Sequence, residues 1–240
     1  MKKKIIKILV VVLIVLGGLF LWWYFNKDEI KVAKEEKKKI EITEKYEEIS
    51  QSVSNQENIV LEYQKQFNNT DIVGELYIPN TDLKTPVAHY SNNEYYLNHL
   101  LDKSYSTLGS VFLDYRNNID DRKILIYGHN SQDIYTEFRF LENYLNYNYY
   151  LEHSDMYLRT VDNNYHYKIF SVYVAINDFR HVNLKFDDEG YAQHLQWLKD
   201  KSAYNTGLEV NKYDNVLVIQ TCYFNPEGSY LIIAAKRVDE

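Results

Sequence analysis

Two side chains could form a nucleophile and its base: the only cysteine, Cys222, and the histidine His129. Each stands at the end of a strongly apolar segment, residues 215–221 and 123–128 respectively. A rigid strand that ends at a loop can hold a reactive group where a substrate reaches it. A cysteine attacks as its thiolate, and a nearby imidazole can take up the proton. Only folding could bring two such distant residues together, and a free cysteine is also often a buried apolar residue.

The part of the chain from residue 67 to residue 240 predicts a mainly β domain. Short apolar or alternating stretches are separated by turn signals, for example Pro79-Asn80. Residues 187–203 instead have apolar side chains at helical spacing, with acidic residues first and lysines last. Many short strands with one inserted helix indicate a closed or half-closed β-barrel.

Composition excludes several classes of protein. The 240 residues contain one cysteine, which rules out an intrachain disulfide framework and a cysteine-rich zinc module. Residues 67–240 carry 24 acidic against 15 basic side chains, so we expect no nucleic-acid partner. The sequence has no Gly-rich phosphate loop, and its other histidines lack metal-ligand spacing. We therefore predict no cofactor and no metal.

The first 66 residues predict a membrane anchor followed by a stalk. A lysine-rich tail, residues 1–4, precedes an apolar segment at 5–25 that is long enough to span a bilayer and ends in aromatic residues. A cleaved signal peptide would have a shorter apolar core and small residues after it, so we favour a retained anchor. Residues 26–66 are charge-rich, without Gly or Pro, and predict a helical stalk, with a flexible tether as the alternative. Lysines flank both ends of the apolar segment, so their distribution alone does not fix its orientation.

Three sequence motifs taken together resemble those of class B sortases. GSVFLDYRNN (109–118), ILIYGHN (124–130) and VIQTC (218–222) occur in the order and spacing of that family. Residues 78–97 are similar to the family's early strands, and the helical segment 187–203 to the long helix that class B members insert before the cysteine strand. The resemblance covers about residues 71–238. It implies a sortase-like closed β-barrel with N-terminal helices and one long inserted helix.

The resemblance also implies a cysteine transpeptidase on the outer face of a Gram-positive cell. Such enzymes cleave a C-terminal sorting signal of secreted proteins, of the type Asn-Pro-x-Thr-x in class B, through a thioacyl-enzyme. An amine of a cell-wall precursor or of peptidoglycan then accepts the protein. On this chain the resemblance makes Cys222 the nucleophile, His129 the general acid and then base, and Thr221 a residue that shapes the substrate groove. The anchor would hold the domain outside, with the N-terminus inside.

One position departs from the family pattern. The family has an arginine about eight residues after the cysteine, where it binds the substrate carbonyl, but Tyr230 stands there in this chain. Three interpretations stay open. Tyr230 donates a neutral and weaker hydrogen bond; another arginine, such as Arg180, reaches the site; or the protein binds sorting signals without turnover. A hydrolytic cysteine peptidase is a further alternative, although papain-like enzymes have the cysteine before the histidine.

Overall fold

In this computed structural model the described residues are 2–53 and 58–238, without the side chains of residues 2, 3, 5–11 and 14. The chain forms two units, residues 1–38 and 39–240, and the first contains most of helix α1 (Lys2–Ser52). Among the described residues, no helix has a segment that is long and apolar enough to cross a membrane. The predicted anchor at 5–25 lies partly outside the described side chains, and Met1 lies wholly outside the described residues.

Eight strands form the body of the second unit: β1 (Ile72–Tyr77), β2 (Lys84–His89), β3 (Phe112–Leu113), β4 (Lys123–Tyr127), β5 (Asp155–Arg159), β6 (Asn164–Ala175), β7 (Val216–Tyr223) and β8 (Ser229–Arg237). They close into a barrel in the order β1-β2-β3-β4-β7-β8-β6-β5. Strand pairs β2–β3 and β4–β7 are parallel, and the other neighbours are antiparallel. The predicted closed β-barrel is therefore confirmed.

Strand β3 contains only two residues of the motif at 109–118. The carboxylate of Asp114 accepts hydrogen bonds from the backbone N–H and the guanidinium of Arg116. The backbone N–H of Asn117 donates to the carbonyl of Asp114, so the chain turns directly after Leu113. Local hydrogen bonds from a short polar side chain compete with a strand ladder, and here they end it.

Alternate residues of the strands fill the barrel. Ile124 and Ile126 of β4, and Leu217 and Ile219 of β7, belong to one interior cluster of fully buried side chains. The 3₁₀ helix Arg139–Leu145 closes one end of this interior with its buried aromatic and aliphatic residues, and helix α3 (Tyr147–Glu152) follows it. The interior is thus a packed core, and reactive groups have to lie on its rim or its outer face.

The end of α1 and helix α2 (Ile59–Phe67) cover one side of the barrel. Apolar residues of both helices form a second cluster with Ile72 of β1 and Phe112 of β3. Lys39 of α1 makes an ion pair of 2.6 Å with Glu137, and both side chains are almost wholly buried. The stalk predicted at 26–66 is helical in α1 and α2, while residues 54–57 of it lie outside the described residues.

Helix α4 (Asp188–Asp200) is the inserted helix that the sequence predicts. The side chain of Asp187 caps it by accepting a hydrogen bond of 2.7 Å from the N–H of Gly190. Acidic residues occupy the first turn and Lys199 the last, as the helix dipole favours. Leu195 and Leu198 are fully buried against the outer face of the barrel, so this helix seals the part of the sheet below the rim.

Candidate active site

The register of two parallel strands brings Cys222 and His129 together. β4 and β7 pair from Lys123 opposite Val216 to Tyr127 opposite Gln220. Continuing this register by two residues places His129 beside Cys222. Both strands end here, so the two residues that the sequence singles out lie side by side at one rim of the barrel.

Both side chains belong to the outer face of the sheet. In β7, Leu217 and Ile219 point into the barrel, whereas Val216 and Val218 pack outside under α4. Because side chains alternate along a strand, Cys222 shares the outer face with Val216 and Val218. Cys222 is half-buried, and this burial raises the pKa of its thiol. The free thiol is thus mainly protonated at neutral pH and needs a base in order to attack.

A backbone carbonyl orients the imidazole of His129. Its Nε2 lies 2.8 Å from the carbonyl oxygen of Leu97. A carbonyl oxygen only accepts hydrogen bonds, so Nε2 carries a proton and donates it to this bond. The other nitrogen, Nδ1, is then the atom that takes up and releases a proton. The segment that contains Leu97 therefore sets which nitrogen of His129 carries the proton.

Thr221 is buried and fastens the two strand ends together. Its hydroxyl donates a hydrogen bond of 2.8 Å to the carbonyl of Gly128, the residue before His129. The backbone N–H of Gly128 in turn bonds to the carbonyl of Gln220 at 3.4 Å. These bonds hold the two strand ends in register. That Thr221 also shapes a substrate groove stays a prediction.

Tyr230 lies directly opposite Cys222. The two residues are register partners in the antiparallel pair β7–β8, and such partners point to the same face of a sheet. The half-buried ring of Tyr230 meets the ring of Phe179 edge-on, with 5.8 Å between the centroids. A phenolic hydroxyl therefore stands on the strand next to the cysteine, at the position where the family pattern has a guanidinium.

Arg180, the arginine considered from the sequence, and Arg237 on β8 are both placed elsewhere. The guanidinium of Arg180 forms two hydrogen bonds with Asp178 and lies 4.3 Å from the centre of the Trp197 ring. Arg237 pairs with Tyr167 at the far end of β8. Among the described residues, neither Arg180 nor Arg237 is the register partner of Cys222, and Tyr230 is.

Asp114 is the centre of a polar network at the ends of β3 and β4. Its carboxylate accepts two hydrogen bonds of 2.8 Å from Arg116 and one of 2.9 Å from the hydroxyl of Tyr127. Burial opposes ionisation of Asp114, but the hydrogen bonds from Arg116, Asn93 and Tyr127 outweigh it and lower its pKa to about 2. This ionised carboxylate ties the turn after β3 to the last residue of β4.

Sequence reasoning missed two polar residues that are linked by hydrogen bonds to the backbone of Cys222. The side-chain amide of Asn130 donates to the carbonyl of Cys222 at 3.0 Å and to a carboxylate oxygen of Glu142. Asn130 directly follows His129, so its position in the Gly-His-Asn motif could have drawn attention to it. Nothing in the sequence points to Glu142, which comes from the separate 3₁₀ helix.

Comparison with known proteins gives one consistent family. A family model described as a Sortase domain matches residues 76–238. The chain is 32% identical over 157 residues to Sortase B of Listeria monocytogenes, an alignment that covers 64% of this chain and 63% of that protein. The aligned part is thus somewhat less than two thirds of this relative.

Solved structures share the fold. A Staphylococcus aureus sortase B–substrate complex superimposes with a TM-score of 0.71 at 26% identity, covering 89% of this chain and 98% of that chain. A sortase B complexed with triglycine gives a TM-score of 0.72 at 26% identity, covering 88% of this chain and 99% of that chain. These similarities extend over most of both chains, so the barrel as a whole is shared.

Proposed function

Because the chain belongs to the sortase family, and within it to class B, we propose that it is a cysteine transpeptidase with Cys222 as nucleophile and His129 as its acid and base. The observation that supports the proposal is the register of β4 and β7, which pairs Tyr127 with Gln220 and, continued by two residues, brings His129 next to Cys222. A merely structural cysteine would have no need of an adjacent imidazole whose tautomer is fixed from outside the sheet.

The reaction follows from the protonation states at the rim. The Cys222 thiol starts protonated, and Nδ1 of His129 takes its proton as the sulfur attacks the threonine carbonyl of a sorting signal. The C–S bond forms, the peptide C–N bond breaks, and His129 returns the proton to the departing amine. A second, neutral amine then attacks the thioester carbonyl: the new C–N bond forms as the C–S bond breaks, and His129 takes the proton of the amine and returns it to the sulfur, which restores the Cys222 thiol.

Tyr230 is the proposed donor to the oxyanion of the tetrahedral intermediates. It lies opposite Cys222 on the same face, and its hydroxyl can donate one hydrogen bond. A neutral donor is about half as strong as a charged one, so we expect a slower enzyme than one with arginine at this position. Removing a single oxyanion donor can lower a rate by about 10² to 10³, which bounds what Tyr230 contributes.

The substrates are proposed by analogy with the relatives. One similar structure is a substrate complex of sortase B, and another contains triglycine, a short peptide with a primary amine. For this chain we propose secreted proteins with an Asn-Pro-x-Thr-x signal as acyl donors. The acceptor is an amine of a cell-wall precursor or of peptidoglycan.

We also propose that residues 5–25 anchor the protein in the cell membrane, with the domain on the extracellular side. The support is that apolar side chains between Val12 and Phe25 are exposed along the helix, including both tryptophans. Membrane fractionation of the full chain, compared with a variant in which Leu16 and Leu19 are both changed to Lys, tests this. Loss of the wild-type protein into the soluble fraction would contradict the anchor.

A second candidate is a binding protein on the sortase fold without turnover. The observation that favours it is the tyrosine in place of the family's arginine opposite Cys222. A hydrolytic peptidase differs only in the acceptor, because water would then resolve the thioester.

Intact-mass measurement of the full chain in detergent, mixed with a panel of Asn-Pro-x-Thr-x peptides, tests the proposal. We expect a mass increase that matches the acyl part of the peptide, absent in Cys222→Ala and removed by hydroxylamine. A thiol that alkylates but never acylates would mean that either the proposed signal or the proposed oxyanion donor is wrong. The Tyr230→Arg variant separates these explanations, because acylation that appears only in this variant identifies the donor as the missing part. A thiol that does neither would support the binding protein.

A further inference from the structure

The C-terminal part of helix α1 contributes one charged side chain to the interior of the protein. Lys39 is only 1% exposed, and its ammonium lies 2.6 Å from a carboxylate oxygen of Glu137, which is 7% exposed. The same ammonium donates a hydrogen bond of 2.7 Å to the backbone carbonyl of Gly109. One nitrogen atom therefore joins three segments that are far apart in the chain: the helix, the segment before β3, and the loop between β4 and the 3₁₀ helix.

The contact with Gly109 leads to the carbonyl that orients His129. Gly109 has a positive φ of 52°, and an added Cβ would lie 2.6 Å from the carbonyl oxygens of both Tyr96 and Leu97. The backbone N–H of Ser110 also donates to the carbonyl of Tyr96 at 2.9 Å. The carbonyl of Leu97 in turn accepts a hydrogen bond of 2.8 Å from Nε2 of His129. The position of Gly109 therefore limits where this acceptor can lie.

The contact with Glu137 leads to the backbone on either side of His129. Glu137 belongs to the loop that follows His129, and the next residue, Phe138, is fully buried. The ring of Phe138 packs against Gly128, where an added Cβ would lie 2.6 Å from it. Through Glu137, Lys39 thus holds the loop after His129, and the core residue at the end of that loop contacts the residue just before His129.

Stability alone is a weak reason for this buried ion pair. Removing two charges from water costs free energy, and apolar residues that fill the same space are often equally stable or more so. Apolar contacts have no preferred direction, however, whereas a charged hydrogen bond fixes the distance and angle to each acceptor. The oxygens that surround Lys39 belong to Gly109 and Glu137, one in each of the two segments that adjoin His129.

We propose that Lys39 is a positioning residue for the catalytic imidazole. It holds the Leu97 carbonyl and the loop after His129 in the arrangement that keeps Nε2 of His129 bonded to that carbonyl. The inference rests on the proposed transpeptidase function, in which His129 is the acid and base. Lys39 is almost wholly buried, so it acts through these backbone contacts and not on the substrate. The predicted stalk is then more than a spacer, because its residue 39 supports the active site.

Neutralising the buried pair tests this role. The neutral-pair variant, Lys39→Met with Glu137→Gln, removes both charges and leaves neither partner as an unpaired buried ion. The control-pair variant, Arg159→Met with Glu75→Gln, neutralises an ion pair of 3.0 Å whose carboxylate is also fully buried. That control pair joins β1 and β5, and neither strand is next to β4 in the barrel. It therefore reports what loss of a buried charge pair does to stability alone.

Nuclear magnetic resonance of the full chain in detergent, with ¹⁵N-labelled histidine, measures the state of the imidazole directly. A hydrogen-bonded imidazole N–H exchanges slowly with water and gives a resonance, whereas an N–H that points into solvent exchanges quickly and gives none. The Nε2–H resonance of His129 is assigned by its absence in His129→Gln. We expect this resonance in the wild type and in the control-pair variant, and we expect the neutral-pair variant to lack it.

Acylation kinetics give a second measurement. Each full-chain variant is mixed with Asn-Pro-x-Thr-x peptides, and the acyl-enzyme is followed by rapid-quench mass spectrometry. We expect the maximal acylation rate of the neutral-pair variant to fall at least tenfold, because a displaced imidazole transfers protons poorly. Its KM for the peptide should stay within twofold of the wild type, since Lys39 does not touch the peptide. The control-pair variant should keep both values even where its melting temperature falls equally.

A second substitution tests the same route and leaves the buried pair intact, so it decides the question if the neutral-pair variant does not fold. Gly109→Ala places a Cβ 2.6 Å from the carbonyl oxygen of Leu97 and so displaces the acceptor of His129. Its matched control is Gly207→Ala, at a glycine that also has a positive φ, 75°, but where an added Cβ meets nothing within 4 Å. We expect the His129 resonance to be lost in Gly109→Ala and kept in Gly207→Ala, and the opposite result overturns the proposal.

The remaining outcomes separate this inference from the proposed function. A wild-type resonance and rate in the neutral-pair variant, or equal losses in both pair variants, would overturn the role of Lys39. A wild type without the His129 resonance would overturn it as well, because no imidazole would then be held. If the wild type forms no acyl-enzyme although the resonance depends on Lys39, the proposed function fails and the positioning role stands. If the neutral-pair variant acylates at the wild-type rate, the function stands and this inference fails.

Discussion

The titratable side chains at the two ends of the parallel pair β4–β7 differ in how deeply they are buried. At the rim, His129 and Cys222 lie on the outer face where the strands give way to loops. At the other end, Lys123 lies on the same strand under α4 and the loop that precedes it, and it is only 5% exposed. The same two strands thus carry titratable side chains at both ends, and the side chains at the rim are only partly buried whereas Lys123 is almost wholly buried.

At the closed end, burial keeps basic groups close to their neutral forms. The ammonium of Lys123 donates to the backbone carbonyls of His181 and Asn183. Burial, with a contribution from nearby Arg116, lowers the pKa of Lys123 to about 7. Burial also lowers the pKa of His194 to about 3, with the charges of Lys123, His181 and Arg180 adding to it. The positive groups at this end therefore oppose one another's protonation.

The difference shows that burial, more than residue type, separates structural from chemical groups here. The amine of Lys123 has the lowered pKa of a potential nucleophile, yet two carbonyls occupy it and α4 covers it. Cys222 has a raised pKa, but it is only half-buried, and the strand register continues to His129 beside it. Accessibility and a correctly protonated neighbour mark the functional end.

The largest effect is expected from the imidazole at the open end. His129→Gln keeps a donor for the Leu97 carbonyl but removes the base, so we expect the acylation rate to fall about 10³-fold. The melting temperature should change little, because His129 is partly exposed at the rim. Rapid-quench mass spectrometry of the acyl-enzyme measures the rate. A fall of less than about tenfold would mean that His129 is not the base.

A smaller effect on activity is expected from a substitution of Gly128, the residue before His129. A Cβ at Gly128 would lie 2.6 Å from the ring of Phe138, which is fully buried and cannot move aside. Gly128→Ala should therefore lower the free energy of unfolding by about 1–3 kcal/mol and displace His129 as well. Urea denaturation followed by tryptophan fluorescence measures the stability. If Gly128→Ala kept the stability and activity of the wild type, the rim would be able to rearrange around the added Cβ, and the prediction would be wrong.

The next effect concerns the donor opposite the nucleophile. Tyr230→Phe keeps the ring against Phe179 but removes the hydroxyl, and we expect acylation to slow about tenfold. Tyr230→Arg should raise the rate above the wild type, because a charged donor binds an oxyanion more strongly. The exposed Tyr213→Phe is the control and should match the wild type. Equal rates for Tyr230→Phe and the wild type would remove Tyr230 from the mechanism.

The smallest effect is expected at the closed end and depends on pH. The pKa of His194 is lowered in the folded protein, so between its unfolded value near 6.5 and about 3 the unfolded chain binds a proton that the folded chain does not. Folding stability should therefore fall as the pH is lowered through this window, and be unaffected by His194 above it. His194→Leu should flatten this part of the curve.

Urea denaturation at several pH values between about 4 and 8 checks the effect of His194. His181, whose pKa burial also lowers, remains in the variant, so part of the acid dependence should persist. Parallel curves for His194→Leu and the wild type would show that His194 is protonated in the folded state without penalty. The packing around His194 would then not disfavour its protonated form.

Strand positions were largely predictable because each strand has its own local pattern. The segments that became β1, β4, β7 and β8 are apolar or alternating and end at turn residues, and the structure confirms them. The short length of β3 was not predictable, because the hydrogen bonds of Asp114 that end the strand form only in the folded turn. The inserted helix α4 was predictable from its capping residue and its charge distribution.

The candidate site was predictable only where it consists of unusual side chains. A single cysteine and a histidine at strand ends stand out in any sequence, and their order matched a known family. The carbonyl of Leu97 could not be identified, because every residue has one and only folding selects which reaches His129. Glu142 is one of many acidic residues, and it became notable only through its bond to Asn130.

The sequence by itself determined which residue types exist and where strands end: one thiol, an imidazole after an apolar strand, and a tyrosine eight residues beyond the cysteine. These follow from local patterns and from covalent spacing. The tertiary structure alone decided that β4 and β7 are parallel neighbours in register, and that Lys123 is sealed while Cys222 is accessible. Register and burial arise from contacts between residues far apart in the chain, and no local pattern encodes them.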